Sequence, residues 1–280
     1  MPRKVGLIVD STFGINKDYA KANNIDIIPL QVLIGDNEYV DGMFDPELAI
    51  KALEAGEIIK TSQPSPEIFM KAFEEMLKNY DEVICMTLSR NLSGTYNAAV
   101  LAKQTFDNEN VYVVDSESTI SGGVYYAEKL IEFLSTGKKA IEALEYLEEL
   151  KDKGSLIFTV DNLQTLVRNG RLGKISGFIG NMLKIKPILR FRRGILEVEH
   201  KVRSKLNAML YLIDEIQKMT LDGNVDVLIN YVDQKEGAET LLNQIKAIGK
   251  NVSVRLVGLV SPVISAHIGL GGLGIYLTNV

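Results

Sequence analysis

The sequence predicts an α/β protein of two domains, an N-terminal mainly parallel sheet with helices on both faces and a C-terminal α/β domain with a mixed sheet. Three observations carry this. Short runs rich in Val and Ile, as in Lys4–Val9 and Glu82–Met86, alternate with amphipathic segments of helical length. The runs are apolar throughout rather than at every second residue, as strands buried on both faces require. After Gly154 the alternation gives way to glycine, arginine and hairpin signals.

Taken in order, the strand Lys4–Val9 runs directly into the polar turn Asp10-Ser11-Thr12. A helix is expected near Lys17–Ala22, a strand over Ile25–Leu33, and helices near Pro46–Ala55 and Pro66–Asn79. Ser65 and Pro66 suit the N-cap and first turn of the latter. The strand Glu82–Met86 leads through Ser89–Thr95 into a helix, Thr95–Thr105. The strand Val111–Val114 leads through Asp115–Ser121 into helices near Gly122–Leu134 and Lys138–Lys151. Three polar clusters thus follow three strands, and they should gather on one sheet edge. Ligands of open α/β sheets bind beyond that edge.

Charged residues and Gly154 end the last of these helices, which divides the chain into domains 1–154 and 155–280. In the second, a strand is expected at Ser155–Val160, followed by a Gly- and basic-rich stretch to about Lys186. Ile188–Phe191 and Ile195–Val202 form a hairpin around Arg193-Gly194. Helix Lys205–Met219, strand Val225–Tyr231, helix Lys235–Ile248 and strand Val252–Val260 come next. Leu256–Val280 carries no charged side chain, which raises a membrane span. Five glycines and Pro262 interrupt it, so it reads as a buried strand, a glycine turn and a second strand. The apolar run Val5–Val9 is too short for a signal peptide. A cytoplasmic protein is expected.

The chain has 31 basic and 36 acidic residues, a net charge of −5, which disfavours a nucleic-acid partner. One cysteine, Cys85, and two histidines, His200 and His267, are too few for a zinc or iron–sulfur site. No metal and no cofactor is expected. Arg168–Lys205 nevertheless holds 11 basic and 2 acidic residues. Such a stretch suits an acidic partner, an anionic membrane surface or an anionic ligand. It equally suits sheet edges blocked by Lys and Arg.

Four segments carry candidate chemistry. Thr61-Ser62-Gln63-Pro64-Ser65-Pro66 offers hydroxyls and an amide on a backbone fixed by two prolines. Ser93 and the amides near Gly94 sit where a helix N-terminus would hold an anion. Leu166–Gly173 places Arg168 and Arg171 around an Asn-Gly turn, able to grip a carboxylate or phosphate. His267 lies among glycines that let backbone approach a ligand. Asp10, Ser93 and His267 could also compose a hydrolytic triad, although the G-x-S-x-G frame is absent.

Taken together, Val9–Thr12, Thr61–Pro66, Leu92–Tyr96, Leu166–Gly173 and Ala266–Gly274 resemble, in order, the motifs of the DegV family of bacterial fatty-acid-binding proteins. The chain departs from the family's common pattern at Asn169 and at Leu270. The resemblance implies a two-domain α/β fold holding one long-chain fatty acid (C14–C18), with its carboxylate at the domain interface. It implies presentation of that acid to a fatty acid kinase subunit, which makes the acyl phosphate for phospholipid synthesis, and a carrier rather than an enzyme. Thr61, Ser62, Ser93, Gly94 and His267 would bind the carboxylate, while Arg171 and Arg203 would dock the kinase. A transient contact with an anionic membrane surface is compatible with the basic segment. A C16 tail burying its methylenes gains about 11 kcal/mol gross, so the tail sets affinity and the polar end sets orientation. Phe158, Leu163, Ile175, Phe178, Ile179, Met182, Leu183 and Ile264 are candidate walls of its tunnel. The rival reading is an enzyme acting on an acyl or phosphorylated small molecule.

Overall fold

The computed structural model of the protein describes residues 3–161, 163–171 and 185–280. In chain order its elements begin with β1 (Val5–Asp10), a short 3-10 turn, α1 (Lys17–Ala22), β2 (Ile25–Ile28), β3 (Gln31–Ile34), β4 (Asn37–Val40) and α2 (Glu47–Glu54). Next come β5 (Ile59–Ser62), α3 (Pro66–Leu77), β6 (Glu82–Thr87), α4 (Thr95–Phe106), β7 (Val111–Asp115), α5 (Ile120–Leu134) and α6 (Ala140–Lys153). The second half holds β8 (Gly154–Thr159), α7 (Gln164–Arg168), β9 (Lys186–Arg192), β10 (Ile195–Val202), α8 (Lys205–Met219) and β11 (Val225–Tyr231). It ends with α9 (Lys235–Lys246), β12 (Val252–Leu259), α10 (Pro262–Ile268) and β13 (Leu273–Asn279).

Three sheets result. A parallel sheet has the order β2-β1-β6-β7, a small antiparallel sheet the order β4-β3-β5, and a large mixed sheet the order β10-β9-β8-β13-β11-β12. The expected α/β fold is thereby borne out. Strand alternation places the two faces of the parallel sheet in different cores. Leu7, Val9, Ile84 and Met86 pack towards α5 and α6, whereas Ile8, Val83 and Cys85 pack towards α3 and α4. On the large sheet, Ile157, Val227 and Ile275 pack against α8 and α9.

The first core does not stop at the parallel sheet. It continues through Val124 and Leu130 of α5 into Leu156, Phe191 and Tyr276 of the large sheet. Helices α5 and α6 therefore lie between the two sheets and touch both. Close approach demands glycine here. A Cβ on Gly123 would lie 2.1 Å from the Phe13 ring, and one on Gly154 would lie 2.1 Å from Tyr276 Oη.

Several expected elements differ. Ile25–Leu33 is two strands in two sheets, because Pro29 offers no N–H to continue a ladder. Thr61 and Ser62, read as part of the segment Thr61–Pro66 between two helices, belong to an edge strand, Ile59–Ser62, paired to β3. The stretch read as a glycine turn between two strands contains α10, with Ser261 as N-cap, Pro262 in the first turn and Gly269 (φ 74°) closing it. Ser65 and Pro66 do open α3, but the Ser65 hydroxyl makes no cap bond and interacts with Glu67 instead. The Arg193-Gly194 hairpin forms as expected, both residues having positive φ as a tight turn requires. Among the described residues, no helix is long and apolar enough to cross a membrane.

Candidate functional site

The three polar clusters do meet at the C-terminal edge of the parallel sheet. Leu88 N–H, just past β6, donates to Asp10 Oδ2 at 2.5 Å, Ser89 N–H donates to Ser118 O, and Thr119 Oγ1 lies 3.4 Å from Thr12 Oγ1. The strand order reverses between β1 and β6, the crevice where open α/β sheets take ligands. Here that crevice is filled from within. Asp10 is 1% exposed, and its Oδ1 accepts from both Thr12 N–H and Thr12 Oγ1. Burial pushes its carboxyl up to about 6.

Beside this plug lies a cavity of about 280 Å³. The small sheet, the start of α4, α10 and the face of the large sheet enclose it. Apolar side chains dominate its wall, among them Leu88, Leu92, Phe158, Phe191, Leu196 and Ile264. The polar lining groups are neighbours of one another. Thr61 Oγ1 and His267 Nε2 are 2.8 Å apart. Gln63 lies so close to Gly94 that a Cβ there would sit 2.0 Å from Gln63 Oε1. Arg171 donates through Nε to Leu92 O at 3.1 Å and through Nη1 to Asn169 O at 2.6 Å.

Local sequence explains each placement. Ser261-Pro262 starts α10, so Ile264, His267 and Ile268, three and four residues apart, turn one face to the cavity. Val263 and Ala266 pack against Leu30 and Val32 near the small sheet. Pairing of Thr61 with Val32 fixes Thr61 opposite that helix. Asn169 anchors the turn after α7 by donating to Ala266 O at 2.9 Å, which carries Arg171 to the cavity mouth. At α4 no side chain caps Gly94, and Ser93 Oγ lies 2.9 Å from Thr95 Oγ1.

The electrostatics of the polar end suit an anion without a full buried counter-charge. Burial, reinforced by the Arg171 guanidinium, pushes His267 down to about 4, so the imidazole is neutral at pH 7. Its Nδ1 is buried and has no hydrogen-bond partner among the described residues. Neutral donors and one guanidinium held at the rim can receive a carboxylate without first charging a histidine.

Of the residues singled out from sequence, Thr61, Ser62, Ser93, Gly94, His267 and Arg171 all line this cavity. Phe158 and Ile264 line it too. Leu163 lies in the core with Val160, Leu166 and Leu189. Ile175, Phe178, Ile179, Met182 and Leu183 lie outside the described residues. Arg203 is exposed between β10 and α8. The triad does not form, since Asp10 is bonded to Thr12 and Leu88 while His267 turns to Thr61. Three described cations of the basic segment are paired with carboxylates: Arg190 meets Glu199 and Glu215, Arg193 meets Glu117 and Glu148, and Lys186 meets Asp161.

Sequence reasoning missed Ile120. This β-branched residue lines the cavity with φ 51°, a strained conformation costing about 1–3 kcal/mol unless its surroundings fix it. Only the left-handed backbone reveals it, and no sequence signal marks an isoleucine for that region.

Fold and site together define a class: an α/β protein of stacked sheets enclosing a mainly apolar cavity with one group of neutral hydrogen-bonding residues. Residues 4–279 match the sequence profile described as "Uncharacterised protein, DegV family". The chain belongs to the DegV family. It is 36% identical over 280 residues to a fatty acid-binding protein of Thermotoga maritima, covering 97% of this chain and 96% of the relative. It is 35% identical to a DegV domain-containing protein of Staphylococcus aureus, covering 96% of each. Among solved structures, a fatty-acid-binding DegV family protein from Thermus thermophilus superposes with a TM-score of 0.91 at 27% identity, covering 99% of this chain and 100% of that one. DegV of Bacillus subtilis, also described as a fatty acid binding protein, gives 0.90 at 28% identity, covering 99% and 100%.

Proposed function

We propose that this protein binds one long-chain fatty acid and presents it to a fatty acid kinase subunit for acyl phosphate formation. The carboxylate sits among Thr61, Ser62, Ser93, Gly94 and His267, and the tail lies against Leu88, Phe158, Phe191 and Ile264. The observation that carries this reading is the cavity's composition, a mainly apolar wall with a cluster of neutral polar groups and Arg171 at its rim. A fatty acid has the same asymmetry. Transfer of its methylenes from water supplies about 0.8 kcal/mol each, and the polar cluster fixes which end is presented. The names of the Thermotoga, Thermus and Bacillus relatives point the same way.

Residues 1–154 and 155–280 act as the two domains in this reading. The described strands of the parallel and small sheets come from the first span, and those of the large sheet from the second, apart from Gly154 at the start of β8. The cavity lies between them, closed by α10 reaching back onto the small sheet. Arg203, exposed at the end of β10, serves kinase docking. Arg171 contributes to docking from the cavity rim, where it also faces His267.

The test is native mass spectrometry of freshly purified protein, followed by extraction and identification of the bound species. One fatty acid per chain is expected. A lipid-free preparation that also fails to take up added C14–C18 acids in calorimetry would overturn the reading.

A further inference from the structure

A second cavity of about 20 Å³ lies behind the first. Ile120, Leu156, Phe158 and Ile268 line both, so one layer of apolar side chains separates them. Gly274, paired with Phe158 across the sheet, adds nothing to that layer, and a Cβ there would sit 2.5 Å from Phe158 Cβ. The small cavity is otherwise mostly apolar, yet Ser121 of α5 and Asn230 of β11 also line it. Ser121 is 1% exposed and Asn230 6%. Asn230 Nδ2 donates to Gly258 O at 3.2 Å, but Asn230 Oδ1 and Ser121 Oγ are buried without a hydrogen-bond partner among the described residues. Two such atoms, from elements distant in the chain, border one small space.

Buried polar atoms are almost always paired, and an unpaired one costs free energy. The space exceeds the roughly 10–15 Å³ that a single water-sized group needs. A serine hydroxyl can donate or accept, whereas an amide oxygen only accepts. A hydroxyl guest would therefore donate to Asn230 and accept from Ser121. Neither an anion nor a cation fits, because the two groups carry no charge and face an apolar wall.

We propose that this space is a hydroxyl subsite, so that the protein accepts acyl chains bearing a hydroxyl where they pass the wall shared by the two cavities, held by Ser121 and Asn230. The proposal rests on the fatty-acid reading, since the chain must pass the layer formed by Phe158, Ile120 and Ile268. A hydroxyl buried anywhere else along the apolar wall would go unpaired and weaken binding.

The experiment is calorimetry on delipidated protein with palmitic acid and with mono-hydroxylated palmitic acids whose hydroxyl is stepped along the chain. At least one positional isomer should bind the wild type as tightly as palmitic acid or tighter. For that isomer, Ser121→Ala should lower the affinity ratio of hydroxy acid to palmitic acid about tenfold, with circular dichroism confirming the fold. Asn230→Ala should lower the same ratio independently. If palmitic acid binds but every isomer binds at least tenfold more weakly, the subsite is overturned alone; a water held there and not displaced gives this result. An unchanged ratio in both variants overturns it as well. Failure of palmitic acid itself to bind would overturn the parent reading and the subsite together.

Discussion

Two polar clusters lie side by side, one at the edge of the parallel sheet and one across the cavity from it, and only the first is closed. At the end of β1, Asp10 takes hydrogen bonds from Thr12 N–H, Thr12 Oγ1 and Leu88 N–H, so both its oxygens are occupied by the protein. Across the cavity, His267 has one nitrogen on Thr61 and the other without a partner among the described residues, and α4 starts without a side-chain cap. Both clusters contain serines, threonines and an ionisable group. The difference teaches that residue type does not separate structural from ligand-facing polarity. Satisfaction does, because a group already paired inside the fold has nothing left to offer a guest.

That contrast can be broken at its closed side first. Asp10→Ala strands two backbone N–H groups and a hydroxyl, each left unpaired at about 1–3 kcal/mol. Stability should fall by about 4 kcal/mol, seen as a drop of roughly 10 °C in the thermal midpoint. A midpoint within 2 °C of wild type would place Asp10 outside the structural network.

Acid titration opposes the two sides directly. Asp10 and Asp41 are pushed up to about 6 by burial, and His267 down to about 4. Between about pH 4 and 6 the folded chain holds a proton on each aspartate that the unfolded chain lacks. The unfolded chain holds one on histidine that the folded chain lacks. Raised carboxylates contribute stability that is present below their unfolded value and lost as pH rises through 6; the histidine works in the opposite sense. Two against one, these three groups stabilise the protein as pH falls from 6 towards 4, by on the order of 3 kcal/mol. His267→Gln removes the opposing member, so the rise should steepen to about twice that, measured as denaturation midpoints against pH. An identical slope in the variant would show that His267 titrates normally.

On the open side, Thr61→Ala with Ser93→Ala should weaken fatty acid binding by about tenfold in calorimetry. The thermal midpoint of the lipid-free protein should move little, because among the described residues the Ser93 hydroxyl bonds to Thr95 and the Thr61 hydroxyl to His267. A large loss of stability with unchanged affinity would move these residues to the structural class. The smallest effect on the protein itself belongs to Arg203→Glu. Arg203 is exposed, so stability should change by under about 0.5 kcal/mol and ligand content not at all. Kinase-coupled acyl phosphate formation should nonetheless drop several-fold, and the drop should shrink at high salt. Full turnover would leave Arg203 a solvated surface charge. This single change is cleaner than one at Arg171, whose guanidinium is committed to Leu92 O and Asn169 O at the cavity rim.

Much of this was readable from the chain. Continuous apolar runs such as Val5–Val9 report strands buried on both faces, and the fold follows from their alternation with helices. Ser261-Pro262 and Gly269 were start and stop signals for α10, but a seven-residue helix among glycines and isoleucines carries too little periodicity to distinguish it from a strand end. Pro29 likewise broke a run whose composition reads as one strand.

The sequence by itself determined the identity of the elements and the residue types at the polar end, because propensity, capping and hydrophobic period are local properties of neighbouring residues. Tertiary structure alone decided which polar groups stay open. Whether Asp10 or His267 faces a guest depends on Leu88 in the one case and Thr61 in the other, partners 78 and 206 residues away in the chain. Hydrogen-bond satisfaction is a property of packed space, and no short stretch of sequence contains it.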